Sequence, residues 1–225
     1  MQNECYSIAI DGPASSGKST IAKEVSKILN MEYIDTGAMY RALTWKVLEN
    51  NLDPKDKKLV LKLLETTNID FKDGNIYLDG KVINDEIRLN YVSQSVSYIA
   101  IIPEVRQKMV ELQQNMARCK NIVMDGRDIG TVVLTNAKYK FFLTATIEER
   151  ALRRYKELNQ NGDKEINLKV LEEDIRKRDK IDSNREADPL KQAEDAILID
   201  TTEKSIKEVV DAIVLCVKGG NTVAL

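Results

Sequence analysis

Histidine is absent from the 225-residue sequence. Its absence excludes Ser-His-Asp and Cys-His catalysis, histidine-ligated zinc and histidine general bases together. Any chemistry must run on carboxylates, Lys, Arg, hydroxyls and backbone amides. That set suits reactions needing charge stabilisation more than proton shuttling. Cysteine is scarce: Cys5, Cys119 and Cys216 are odd in number, widely spaced and without a C-x-x-C pair. They are expected as reduced thiols, which argues against a disulfide scaffold or a structural zinc site. Aromatics make up only 5% of the chain, and 34 Lys+Arg against 36 Asp+Glu leave a net charge of -2. A nucleic-acid binder should carry a basic excess, so none is expected as a partner. No apolar run approaches about 18 residues, and nothing at the N-terminus resembles a basic stretch before an apolar signal core. The expectation is a soluble cytoplasmic protein with no membrane partner.

What is present is an ordinary globular balance, 43% hydrophobic and 31% charged, at a length suited to one domain. Short apolar strands alternate with amphipathic helices. Tyr6–Ile10 reads as a buried strand ending at Asp11-Gly12-Pro13, followed by a helix from about Lys18 with Ile21, Val25, Ile28 and Leu29 on one face. Tyr33-Ile34 is a second strand before Asp35-Thr36-Gly37, and Met39, Leu43 and Val47 mark the next helix. Asp53-Pro54 resembles an N-cap with proline at the first helical position, opening a helix that carries Val60, Leu63 and Leu64. Then the rhythm changes. Ile69–Phe71 and Ile76–Leu78 alternate with period two around the Asp73-Gly74 and Asp79-Gly80 turns, a small antiparallel meander. Residues 63–102 are therefore read as an insert.

Alternation resumes with a helix carrying Val105, Met109, Leu112 and Met116 and strands at Asn121–Met124 and Tyr139–Leu143. Charged helices follow, over Glu148–Leu158 and on to about Lys180, separated by a turn-rich break at Asn159–Asp163. A fifth strand is expected at Ala196–Ile199, and the last helix opens with a capping box, Ser205-x-x-Glu208. Five strands separated by helices predict a parallel sheet with right-handed crossovers and helices on both faces. The fold class is α/β, one domain over residues 1–225.

Gly12-Pro13-Ala14-Ser15-Ser16-Gly17-Lys18-Ser19 matches G-x-x-x-x-G-K-[ST] in full, after the first strand and before a helix. The glycines let backbone N–H groups curl around phosphate oxygens, and Lys18 reaches the β- and γ-phosphates. The Ser19 hydroxyl ligates Mg²⁺, the one metal-binding position expected, while the helix N-terminus faces the anion. Residues 12–20, through Thr20, are therefore the expected nucleotide-phosphate site. No Asn-Lys-x-Asp segment is present to read guanine. Instead there are arginines in local groups: Arg41; Arg127; Arg150, Arg153 and Arg154; Arg176, Arg178 and Arg185. Arg41 and Arg127 fall near the C-terminal ends of strands, where open α/β sheets bind ligands. Phosphoryl transfer to a phosphate acceptor needs such clamps and no general base, because the acceptor oxygen is already ionised. Composition and motif agree on a nucleotide or small-metabolite kinase.

The chain resembles the bacterial cytidylate kinases. The segments that carry the resemblance are Ile10–Thr20, Tyr33–Arg41, Asp125-Gly-Arg-Asp-Ile-Gly-Thr-Val-Val133, Glu149–Arg154, Arg178-Asp-Lys-Ile-Asp-Ser-Asn-Arg185 and Asp200-Thr-Thr202. The resemblance implies a P-loop fold, with residues 63–102 as the monophosphate-binding insert and 150–180 as a lid. It implies ATP-dependent phosphorylation of CMP and dCMP, with Mg²⁺, while the mixed charge and the lack of an obvious apolar surface stripe make a monomer the default expectation. Carried over by position, Arg41 and Arg127 hold the acceptor phosphate. Thr36, Arg106, Asp128 and Arg185 face the cytosine, while Ser97, Arg178 and Asp182 hold the sugar. Lys18, Arg127, Asp128, Arg153 and Arg154 form the implied catalytic set, with Arg150 beside the lid. A carboxylate at Asp128 accepts from the cytosine amine and repels the uracil carbonyl. Two departures are modest: Thr36 stands where the family often has Ser, and Thr135-Asn136 replaces a proline-containing turn. Another acceptor such as UMP, or a nucleotide sensor without turnover, are the competing readings.

Overall fold

The computed structural model describes residues 5–160 and 167–220. Its main sheet has five parallel strands: β1 (Ser7–Asp11), β2 (Glu32–Asp35), β6 (Ile122–Gly126), β7 (Tyr139–Thr144) and β8 (Ile197–Asp200), in the order β2-β6-β1-β7-β8. The period of two decides how this sheet is buried. Ile8, Ile10 and Val123 point to the side packed by helices α1 (Lys18–Leu29) and α8 (Ile206–Val217), whereas Ala9, Ile122 and Met124 point to the other. With both faces covered, the strands read as continuous apolar runs. The central strand β1 ends at Asp11, so the loop that follows opens at the C-terminal edge of the sheet, where such folds bind ligands.

A second sheet is antiparallel and has three strands: β3 (Ile69–Lys72), β4 (Asn75–Leu78) and β5 (Lys81–Val82). Asp73-Gly74 and Asp79-Gly80 make its turns, with positive φ at all four residues, as the two Asp-Gly pairs predict. It packs with α2 (Thr36–Glu49), α3 (Lys57–Glu65), α4 (Asn90–Ala100) and α5 (Pro103–Ala117) around Met39, Leu43, Ile76, Ile99 and Met109. Helices α6 (Ile147–Gln160) and α7 (Leu168–Asn184) pack on each other through Ala151, Leu158, Leu171 and Ile175.

Several boundaries differ from expectation. Helix α3 begins at Lys57, not at Pro54, because the Asp56 carboxylate caps it by accepting from the Leu59 amide at 3.1 Å. Asp53 instead caps the turn before it, accepting from the Lys55 amide. Thr36 and Gly37 form no loop, since Asp35 ends β2 and N-caps α2 at once through the Ala38 amide. Ile28 lies half exposed, off the buried stripe of Ile21 and Val25. Helix α7 runs four residues beyond Lys180. Of the turn-rich break at 159–163 and the segment up to Glu165, residues 159 and 160 close α6, and the rest lies outside the described residues. After β6 comes a feature that no periodicity announced, a single π-helical turn, Ile129–Val133.

Candidate active site

The loop between β1 and α1 wraps back over the sheet. Gly12 has φ +156°, and a β-carbon there would collide with the Leu143 carbonyl oxygen on neighbouring β7, so glycine is required. Gly17 (φ +86°) and Ser15 (φ 59°) complete the curl into the N-terminus of α1. Lys18 is buried, and its ammonium donates to the Pro13 carbonyl at 3.1 Å, crossing the mouth of the loop. Burial, with Arg127 nearby, lowers the Lys18 ammonium to about 7. Pro13, Ala14 and Ser16 are buried in the loop, and the Ser16 hydroxyl has no hydrogen-bond partner; Thr20 is exposed on α1.

Two arginines of α6 grip this loop through its carbonyls. Arg150, 4% exposed, donates to the Ala14 carbonyl at 3.0 Å and the Ala145 carbonyl at 3.0 Å, and pairs with Asp179 at 2.6 Å. Arg153 donates to the Ser16 carbonyl at 3.3 Å, the Thr201 carbonyl at 2.6 Å and the Thr201 hydroxyl at 2.9 Å, and pairs with Glu149. Among the described residues Arg154 pairs with its helix neighbour Glu157, and Arg176 pairs with Glu148 at the surface.

Oxygen ligands gather beside α1. The Ser19 hydroxyl donates to Asp125 Oδ2 at 2.7 Å, and the Tyr33 hydroxyl donates to Asp125 Oδ1 at 2.8 Å. Burial, then the charge of Asp35, raises the Asp125 carboxyl to about 6. Burial acts the same way on Asp35, but Arg41 at 2.7 Å, the Ala38 amide and Lys18 together hold it low. A hydroxyl and a carboxylate at this spacing are hard oxygen donors of the kind that hold Mg²⁺ when phosphate oxygens supply the rest.

Next to them lies a pool of positive charge. Arg127 pairs with Asp182 at 2.9 Å, and Asp182 is held below the usual carboxylate range by Arg127 and Arg178, against burial. Arg178 has a buried Nε with no partner, and burial, then Arg127, lowers it to about 10, with Arg41 and Arg154 adding to the repulsion. Residues from α2, the β6–π-turn junction and α7 thus bring three guanidinium groups together with incomplete neutralisation. Such a site is built to receive an anion.

A third group lies beyond. Asp128 sits between two arginines: Arg106 on α5 ion-pairs with one oxygen, and Arg185 lies 3.4 Å from the other. Arg106, 1% exposed, also pairs with Asp188 at 2.9 Å and lies over the Tyr40 ring at 5.6 Å. Arg185 donates to the Asp188 carbonyl at 2.7 Å. Burial pushes the Asp128 carboxyl above its ordinary range, opposed by both arginines. Ser97 is buried on α4, and the Thr36 hydroxyl donates to the Asp125 carbonyl at 2.7 Å. These positions form a buried charged cluster, not a solvated helix face.

The sequence matches the cytidylate kinase family model over residues 8–219. The chain belongs to the cytidylate kinase family. Among its relatives, the cytidylate kinase of Alkaliphilus oremlandii is 54% identical over 216 residues, covering 96% of this chain and 99% of that one. The cytidylate kinase of Clostridioides difficile is 56% identical over 207 residues, covering 92% and 95%. The fold is shared more widely: a solved structure of an uncharacterized protein from Eubacterium ventriosum aligns over 95% of this chain and 99% of its own with a TM-score of 0.53 at 12% identity.

Within this cytidylate kinase family site, sequence reading passed over Asp125, Asp35, Asp188 and Tyr40. Asp125 had a signal, since it ends a strand beside the phosphate loop, where P-loop folds place a second acidic residue. Asp188 had none, because its role exists only through Arg106, 82 residues away.

Proposed function

We propose that this chain transfers the γ-phosphoryl group of ATP, with Mg²⁺, to the phosphate of CMP and dCMP, yielding CDP and dCDP. As a member of the cytidylate kinase family it is a phosphotransferase with a phosphate group as acceptor, acting on small-molecule nucleotides. The observation that carries the finer reading is Asp128 held between Arg106 and Arg185, next to a guanidinium pool short of anions.

The loop amides of residues 12–20 and Lys18 hold the donor phosphates, and Ser19 with Asp125 holds Mg²⁺, which neutralises charge on the bridging oxygens when bound. Arg41 and Arg127 fix the acceptor phosphate in line, and neither needs to move a proton. Asp182 fixes Arg127 and, with Ser97 and Arg178, faces the sugar. Asp128 accepts from the cytosine amine, Arg106 donates to the ring nitrogen and O2 edge, and Arg185 and Thr36 complete the base site. A uracil carbonyl facing Asp128 leaves two acceptors opposed, at a cost on the order of 1–3 kcal/mol.

Residues 63–102 form the acceptor-side insert and 150–180 the lid. In that lid Arg153 and Arg150 support the phosphate loop through its carbonyls, and Arg154, whose ion-pair partner among the described residues is the exposed Glu157, turns toward the transferring phosphate. A monomer is the expected working unit. Its expected compartment is the cytoplasm.

A coupled ADP-release assay with ATP and Mg²⁺ against CMP, dCMP, UMP, AMP and GMP tests the reading. Turnover strongest with CMP and dCMP is expected. Turnover strongest with another monophosphate overturns the assignment of Asp128, and ATP binding without turnover on any acceptor overturns the kinase mechanism in favour of a sensor.

A further inference from the structure

The π-helical turn Ile129–Val133 follows directly on Arg127 and Asp128, and its first amides need acceptors. Asp128 occupies the N-cap position, with φ -143° outside the helix, and aspartate is among the strongest capping residues. Yet its side chain caps nothing. Both of its oxygens face the guanidinium groups of Arg106 and Arg185. The capping is done from another strand. Asp11, the last residue of β1 and 4% exposed, accepts from the Ile129 amide through Oδ1 at 2.8 Å and from the Gly130 amide through Oδ2 at 2.8 Å. The turn is closed at its far end by backbone bonds, Val133 and Val132 donating to the Asp128 carbonyl and Leu134 to that of Ile129.

We propose that Asp11 is a positioning residue that caps the π-turn in place of Asp128, leaving the Asp128 carboxylate free to read the acceptor base. Two carboxylates and two free amides stand within reach of one another, and only one arrangement leaves an aspartate for Arg106 and Arg185. Without Asp11, the nearest acceptor for the orphan amides is Asp128 itself, which must swing away from the arginines to cap them. Asp11 immediately precedes Gly12, so the same residue ties the donor-phosphate loop to the acceptor-reading turn. Its carboxylate hydrogen-bonds the turn that carries Asp128, so its loss is felt on the acceptor side. This inference rests on the reading of Asp128 as the contact to the acceptor base.

Asp11→Asn is close to isosteric but keeps a single acceptor oxygen, so its NH₂ faces one of the two amides, donor against donor. The test is a double-mutant cycle of wild type, Asp11→Asn, Asp128→Asn and the pair, each with KM for ATP and for CMP and the CMP-to-UMP ratio of kcat/KM. In Asp11→Asn, KM for CMP is expected to rise about tenfold, the size of one buried hydrogen bond lost. The CMP-to-UMP ratio falls with it, while KM for ATP stays within about twofold. In the Asp128→Asn background the Asp11 change adds nothing further to KM for CMP. Equal losses for ATP and CMP, or effects that add independently of Asp128, overturn the proposal. Thermal melts identify a variant that has not folded, and Asp11→Ser, with one shorter acceptor, takes its place in the cycle. If wild type prefers another acceptor, the assignment of CMP fails, and the same cycle run on that acceptor still tests Asp11.

Discussion

Lys18 carries the largest electrostatic penalty of the donor side, an ammonium buried against a carbonyl and close to Arg127. Its removal separates function from stability. Lys18→Ala is expected to reduce turnover by about a hundredfold or more, the scale of losing one charge-stabilising donor. The fold is expected to survive, because what is removed is a desolvated charge. The pH dependence gives the sign. The lysine titrates near 7 in the folded chain against an ordinary 10.5. Between those values the unfolded chain binds the extra proton, so stability rises with pH there. Urea unfolding of wild type and Lys18→Ala should therefore converge from about pH 7 upward, and parallel curves across that window would contradict the burial argument. The residues most legible in the sequence were those whose chemistry is local: the loop glycines, Lys18 and Ser19. Those whose roles need a distant partner were less so, and Arg106, Asp128 and Arg185 entered only through the family resemblance. Asp125 meets Ser19 across 106 residues, and Asp11 meets Ile129 across 118.

Among the elements, α8 is the one whose start was read to the residue. Ser205 accepts from the Glu208 amide, and Glu208 returns a carboxylate to the Ser205 amide at 2.8 Å. Ser205→Ala should cost about 1 kcal/mol of stability. It should leave kinetic constants unchanged, since the cap's hydrogen bonds run only between Ser205 and Glu208. A change in KM for ATP would show that α8 transmits strain to β1. Strands and long helices were legible because their period is fixed by burial, as Ile8 and Ile10 against Ala9 illustrate. Short elements were less so. Asp53 and Asp56 are both good caps, and only tertiary packing of Val60 decides which of them begins α3. The π-turn is five residues, Ile-Gly-Thr-Val-Val, with a composition that suits a strand as well as a helix. It forms because a carboxylate from β1 satisfies its first amides.

At the scale of the molecule, a net charge of -2 conceals a cleft of opposite sign. Burial, with the charges of Arg127, Arg41 and Arg154 added to it, lowers Arg178 to about 10. A dianionic ligand relieves the repulsion among those charges. CMP at about 100 times its dissociation constant should stabilise the chain by about 2.7 kcal/mol, visible as an upward shift in Tm. Cytidine, which has no phosphate, should shift it far less; an equal shift would place the binding energy in the base site and not in the arginine pool. The net charge alone could not reveal this, because it sums the whole chain and says nothing of where three arginines meet fewer carboxylates.

The grip of α6 on the phosphate loop has a consequence for transplanting parts between proteins. Outside its own helical hairpin, Arg150 holds only the carbonyls of Ala14 and Ala145, and Arg153 holds those of Ser16 and Thr201 with a single hydroxyl added. Main-chain oxygens are the same in every sequence. Helix α6 is thus attached by a coupling that any relative of the same backbone already possesses, whereas α7 is tied to one particular side chain of its host through the Asp182–Arg127 ion pair. A graft of α6 must bring its two arginines with Glu149, and a graft of α7 must also find an arginine at position 127.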